Sequence, residues 1–272
     1  SGAFEYRDIM TNKIAQTFAK IKSEKRAGLV SFIMAADPDL ESTINIIDNL
    51  VTSGTDILEI GMPFSDPVAD GVVIQESGKR ALKTGVTLNQ ILKLVVKLRN
   101  KYSELPIILM GYFNPIHKFG VEKFCKEAEK VGVTGIIIVD LPMEERLPYD
   151  HIFSKYNINF INLLSPNTNE DRLKEIVKDA KGFVYYVSVN ATTGSQEPVV
   201  SEIKAKLKII RKYTELPIAV GFGIKNKKQA AAIAKFADFI VVGSQYIKIL
   251  QDEDNNSYLN LRNFNQELKK SL

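Results

Sequence analysis

The chain has 272 residues, 45% of them hydrophobic and 25% charged, the composition of a globular protein with a sizeable core. Its formal charge of +4 looks mildly basic, but lysines alternate with acids in "KEAEKVG" and "DRLKEIVKDAK", and the densest basic run, Lys225–Lys228, lacks interleaved aromatics; this argues against a nucleic-acid partner. A single cysteine excludes an intrachain disulfide and a multi-cysteine zinc site, and no apolar stretch approaches the roughly eighteen residues that span a bilayer.

Ser1-Gly2-Ala3 reads as a cloning remnant, and a helix is expected ahead of the first strand. Short apolar, β-branched runs then recur along the chain: "LVSFIMA" (29–35), "DILEI" (56–60), "PIILMG" (106–111) and "GIIIVD" (135–140). "INFINLL" (158–164), "FVYYVS" (183–188), "PIAVGF" (217–222) and "DFIVVG" (238–243) complete the set. Continuous apolarity without alternation suits strands buried on both faces, as in a parallel sheet. Helical patterns lie between them: Ile44, Ile47, Leu50 and Val51 share one face, as do Leu173, Ile176, Val177 and Ala180. Cys125 falls on the stripe Val121, Phe124, Cys125, Ala128, which reads as core packing. Eight strand-helix units without a linker predict one α/β domain over residues 1–272, a (β/α)8 TIM barrel with a short helix after the last strand. A doubly wound open sheet is the structural competitor. "KYSELPIILMGYF" from Lys101 and "KYTELPIAVGFGI" from Lys212 echo each other half a barrel apart; duplication of a half-barrel and a shared way of ending a helix both explain this.

Barrel active sites lie at the C-terminal ends of the strands. The second run ends at Glu59, and "LEIGMPFSDPVADG" then carries Asp70 eleven residues later on a turn stiffened by two prolines. Glu59 has apolar flanks, so partial desolvation should raise its pKa and let it hold or yield a proton near neutrality. Asp70, on a polar loop, should stay ionised; the pair offers an acid/base and an anionic anchor. A strand-end glutamate could equally form a salt bridge to a neighbouring helix. Gly221-Phe222-Gly223, Gly243-Ser244 before a new helix, and Gly194 in a long Gly/Ser/Thr-rich loop form an expected phosphate site, held by backbone N–H groups and a helix start.

"LEIGMPFSDPVADGVVIQ" resembles the signature of the tryptophan synthase alpha chain family. "FIMAADPDL", "LMGYFNPI", "GFVYYVS", "VGFGI" and "VVGSQYIK" are similar to that family in the right order, to about residue 250. The resemblance implies a barrel lyase that cleaves indole-3-glycerol phosphate to indole and glyceraldehyde 3-phosphate, a retro-aldol reaction with no metal and no cofactor of its own. It assigns Glu59 as general acid/base and Asp70 as the carboxylate that holds the indole N–H. Tyr185 would contact the reacting end, with Phe32 and Met110 packing the indole, although both also read as core. Gly194, Gly223, Gly243 and Ser244 match phosphate positions, and Thr193 the lid threonine that reaches the catalytic aspartate.

The chain departs from the usual pattern at Ala191-Thr192, at Ala36 before Asp37-Pro38, and at Val72 where proline is common. The resemblance further implies an α2β2 complex with a beta subunit that carries pyridoxal phosphate, docked on the Pro-Phe-Ser-Asp-Pro turn and "FNPI" (113–116). It also implies a cytoplasmic enzyme of tryptophan biosynthesis, or a stromal one if an organellar presequence has been removed. A stand-alone indole-releasing lyase and a catalytically weak regulator of the beta chain fit the same motifs. A metal-dependent epimerase would need clustered ligands, and only His117 and His151 are present, in loop or helix segments. An indole-glycerol-phosphate synthase would need a strand-end lysine, which no run carries.

Overall fold

The computed structural model describes residues 12–188, 200–252 and 256–272. Its strands are β1 (Gly28–Met34), β2 (Ile57–Gly61), β3 (Ile107–Gly111), β4 (Gly135–Ile138), β5 (Asn159–Phe160), β6 (Asn162–Leu164), β7 (Val184–Val187), β8 (Ile218–Gly221) and β9 (Phe239–Val242). They form one parallel sheet in the order β5-β4-β3-β2-β1-β9-β8-β7-β6. Because β1 lies between β2 and β9 and the order never reverses, the sheet curls into a nearly closed barrel and not an open doubly wound layer.

The expected fifth strand, 158–164, is divided. Asn159 and Phe160 pair with β4, while Asn162–Leu164 pair with β7. Between them the Ile161 N–H still donates to the Ile136 carbonyl at 2.9 Å. One chain segment thus hands its hydrogen bonds from one edge to the other, which turns eight expected runs into nine strands and brings the two edges together.

Strand residues alternate across the wall. Val30, Ile57, Ile108, Ile137, Phe183 and Phe239 fill the barrel interior, whereas Leu58, Ile60, Leu109 and Ile240 pack outward under the helices. Both faces are apolar, which is why the runs read as continuously hydrophobic. The expected N-terminal helix is present as α1 (Lys13–Ser23), capped by the Asn12 side chain, which accepts from the Ile14 N–H at 3.0 Å. Its Ile14, Phe18 and Ile21 close the bottom of the barrel, with the Phe18 and Phe239 rings 6.2 Å apart.

The outer layer comprises α2 (Leu40–Thr52), α3 (Val72–Lys83), α4 (Leu88–Lys101), α5 (Phe113–Phe119), α6 (Val121–Lys130), α7 (Met143–Arg146), α8 (Asp150–Phe153) and α9 (Glu170–Lys178). It continues with α10 (Val200–Ile210), α11 (Lys227–Ala234), α12 (Ser244–Gln251) and α13 (Ser257–Lys270). α2 is rotated from its expected face: Thr43, Ile46, Ile47 and Leu50 are buried, and Ile44 and Val51 sit at the margin. The Cys125 stripe on α6 is buried as expected, and desolvation pushes its thiol up to about 12, out of nucleophilic range.

The echoed segments do the same local job. Arg99 donates to the Leu105 carbonyl at 2.8 Å and Arg211 to the Leu216 carbonyl at 2.7 Å. The following prolines, Pro106 and Pro217, each offer a carbonyl to the neighbouring strand, at 3.0 and 2.9 Å.

Candidate active site

Glu59 faces the barrel interior from the middle of β2, in register with Phe32 on β1 and Ile108 on β3. It is 0% exposed, and neither carboxylate oxygen has a hydrogen-bond partner among the described residues. The expected partial desolvation is therefore complete. Removal from water, with no counter-charge to offset it, pushes the carboxyl up to about 8. No salt bridge holds it among the described residues, and the nearby Tyr185 hydroxyl is raised well above its ordinary value, first by desolvation and then by the Glu59 carboxyl.

Asp70 lies on the turn between β2 and α3. It is half-buried, and desolvation raises its carboxyl to about 6, less a contribution from the Tyr112 hydroxyl, which hydrogen-bonds to it and favours the charged form. The expectation that Asp70 stays ionised agrees with a value below neutrality, although the turn folds onto the barrel mouth and removes much of its water. The order of the two acids still stands, Glu59 above neutrality and Asp70 below.

Tyr112 is the residue that sequence reasoning missed. Its hydroxyl accepts from the Ala69 N–H at 3.0 Å, and its ring packs on Phe64 with centroids 5.3 Å apart. One side chain thereby staples both limbs of the proline turn and fixes where Asp70 points. The signal was a polar residue directly after β3 in "LMGYFNPI", a position where barrel enzymes place chemistry.

Above these lies a cavity of about 170 Å³. Phe32, Met110 and Tyr185 form its aromatic and thioether wall, Asp70 and Gly71 one side, and Gly221, Gly223, Gly243 and Ser244 the other. Ile74, Val187 and Val241, not foreseen, and Phe222 between the two glycines supply further apolar lining. No lysine or arginine is among the described residues lining it. Glu59 does not itself line the cavity; it is buried beside Phe32 and Tyr185, which do.

The glycines have two different reasons. Gly223 has φ of 72°, a left-handed conformation that a Cβ would strain. Gly221 and Gly243 instead yield space: a Cβ on Gly221 would lie 2.7 Å from the Tyr185 Oη, and one on Gly243 would lie 3.0 Å from Phe32 Cδ1. Gly243 caps α12 without a side-chain hydrogen bond, and the first main-chain bond of the helix is Ile247 N–H to the Gly243 carbonyl, at 3.2 Å. By helix geometry the N–H groups of the first turn have no intrahelical acceptor, so they offer partial positive charge at the cavity rim. Thr193 and Gly194 lie outside the described residues.

Of the departures, Ala36 adopts φ of 64°, a left-handed conformation that costs a non-glycine residue about 1–2 kcal/mol. The adjoining Asp37 carboxylate accepts from Arg80 Nε at 2.8 Å and Nη2 at 2.7 Å, and from Ser77, which anchors this loop to α3. Val72 opens α3 after Gly71. Proline is favoured at that position because its N–H is not needed, so valine there loses little.

A nearly closed parallel barrel with two unequal carboxyls near a glycine-rich cavity that no described lysine or arginine lines defines the class, a TIM-barrel protein. The sequence pattern described as "Tryptophan synthase alpha chain" matches residues 18–272, and the chain belongs to that family. The tryptophan synthase alpha chain of Zymomonas mobilis is 45% identical over 240 residues, covering 88% of each chain. The crystal structure of the alpha subunit from Legionella pneumophila superposes with a TM-score of 0.89 at 35% identity, covering 96% of this chain and 98% of that one. Tryptophan synthase of Mycobacterium tuberculosis gives a TM-score of 0.87 at 28% identity, covering 96% and 98%. The family catalyses the cleavage of indole-3-glycerol phosphate, a carbon–carbon lyase step of tryptophan biosynthesis. It needs no cofactor of its own and forms a complex with a beta subunit, to which pyridoxal phosphate belongs.

Proposed function

We propose that this chain, as one domain, performs the family reaction with Glu59 as general acid/base and Asp70 as the anionic anchor. The observation that supports the roles is the contrast between the two carboxyls, about 8 for Glu59, sealed behind the cavity wall, and about 6 for Asp70, which lines the cavity. At neutral pH Glu59 holds a proton and Asp70 has lost its own. Protonation of the indole ring at C3 by Glu59 turns the ring into an electron-accepting indolenine. Asp70 accepts the indole N–H and balances the positive charge that grows there. The bond from C3 to the glycerol chain then breaks with its electrons returning to the ring. The adjacent hydroxyl becomes the aldehyde, and its proton goes to the Glu59 carboxylate, which restores the acid.

Phe32, Met110 and Tyr185 would hold the indole end, and Gly223, Gly243 and Ser244 the phosphate. Val68 on the turn that aims Asp70 and Val72 at the start of α3 are exposed, 86% and 69% accessible. Exposed apolar residues on a stapled turn suit docking of the beta subunit there and on "FNPI". No described helix is long and apolar enough to cross a membrane; we read the chain as cytoplasmic.

The test is indole release from indole-3-glycerol phosphate by the purified chain, with and without a beta subunit. The parent should cleave, and Glu59→Gln should lose about 10²–10⁴-fold in rate while keeping its fold. A Glu59→Gln variant that cleaves at the parental rate overturns the assignment.

A further inference from the structure

The first turn of α12, at the cavity rim, is bolted to the far side of the helical layer by buried polar groups. Tyr246 is 0% exposed, and its hydroxyl donates to Asn265 Oδ1 on α13 at 2.5 Å and accepts from Ser31 Oγ on β1 at 3.3 Å. Asn265, also wholly buried, donates from its amide to the Leu50 carbonyl at 3.0 Å and to Ser53 Oγ at 2.8 Å, where α2 ends. Ser31 and Thr55 share a hydroxyl bond of 2.7 Å, which closes the network at the start of β2. The Tyr246 ring meets Phe264 of α13 edge-on, with centroids 5.9 Å apart.

Packing alone does not require these groups. An apolar core of the same shape would be at least as stable, because burying hydroxyls and an amide costs desolvation that their hydrogen bonds only repay. What a satisfied polar network adds is a unique register, since any rotation or slide strands buried donors and acceptors. Tyr246 lies two residues after Ser244, so the register it fixes is that of the helix turn whose first residue lines the cavity. Gly243, just before, is already pressed against Phe32, leaving the backbone little latitude on the other side.

We propose that Tyr246 and Asn265 are positioning residues for the anion end of the site: their hydroxyl–amide bond sets the depth and rotation of the α12 N-terminus and keeps its N–H groups trained on the substrate phosphate. This rests on the reading of Gly223, Gly243 and Ser244 as the phosphate seat.

The test uses the full chain, with Tyr246→Phe, Asn265→Leu and the double variant. The readouts are KM and kcat for indole-3-glycerol phosphate, competitive inhibition by inorganic phosphate, indole binding, and melting temperature. Tyr246→Phe keeps the ring and should raise KM and weaken phosphate inhibition together by about fivefold, the value of one hydrogen bond. It should leave kcat within about twofold and indole binding unchanged. The double variant replaces both partners with apolar groups, so it should regain much of the melting temperature lost by either single variant yet keep the weak phosphate binding. Equal weakening of phosphate and indole, or recovery of phosphate affinity together with stability, overturns the proposal, because the network would then support only the fold. Unchanged phosphate inhibition in all variants overturns it as well and leaves the phosphate seat standing. Absence of phosphate inhibition in the parent overturns both.

Discussion

The Tyr112 hydroxyl sits between the Ala69 N–H, from which it accepts at 3.0 Å, and the Asp70 carboxylate, whose charged form its hydrogen bond favours. Burial works in the opposite direction and is the larger effect, leaving Asp70 at about 6. Tyr112→Phe keeps the ring against Phe64 and removes only the hydroxyl. Asp70 should then move further up, and the acid limb of the kcat/KM profile for indole-3-glycerol phosphate should shift to higher pH, with the largest loss of activity near pH 6. A limb that stays in place would mean that Asp70 is not the group whose ionisation it reports.

Glu59 carries a stability signature independent of activity. Its carboxyl titrates at about 8 in the folded chain against 4.5 ordinarily. Between those values the folded state keeps a proton that the unfolded chain has lost. The contribution is therefore full below the ordinary value and is lost as pH rises through about 8, on the order of 5 kcal/mol in all. Glutamine does not titrate. The melting temperature of Glu59→Gln should therefore rise relative to the parent as the pH goes from 5 to 9. A constant difference across that range would show that Glu59 is ionised or solvated in the folded chain.

Gly221 gives room to a neighbour. Alanine there brings its Cβ within 2.7 Å of the Tyr185 hydroxyl and 2.9 Å of its ring, so the tyrosine must shift into the cavity. Gly221→Ala should cost roughly 1–3 kcal/mol of stability and about 100-fold in kcat/KM, the cost of displacing the side chain proposed to contact the reacting end. Gly78→Ala is the matched control. On α3 its Cβ would meet only Met34 Cε, at 3.7 Å, and it should gain roughly 0.5–1 kcal/mol with activity unchanged. Thermal melts and indole release separate the two.

Much of the barrel was legible because a strand buried on both faces leaves an uninterrupted apolar run, and Glu59 was conspicuous as the one acid inside such a run. The α2 face was misread by one position, since Ile44 and Ile46 are equally apolar and only the approach of the neighbouring helices decides which is covered. The division of the fifth strand at Ile161 left no mark on "INFINLL", because changing hydrogen-bond partners alters no side chain.

By itself the sequence determined which residues carry ionisable groups, where glycine permits backbone to approach, and in which order strands and helices alternate, for these are properties of residue type and spacing. Only the tertiary structure decided that Glu59 would be sealed from water, that Asp70 would lose enough hydration to approach 6, and that Tyr112, forty-two residues further along the chain, would hold it. A pKa is set by the solvent and charge around a group, and those come from segments that meet only when the barrel closes.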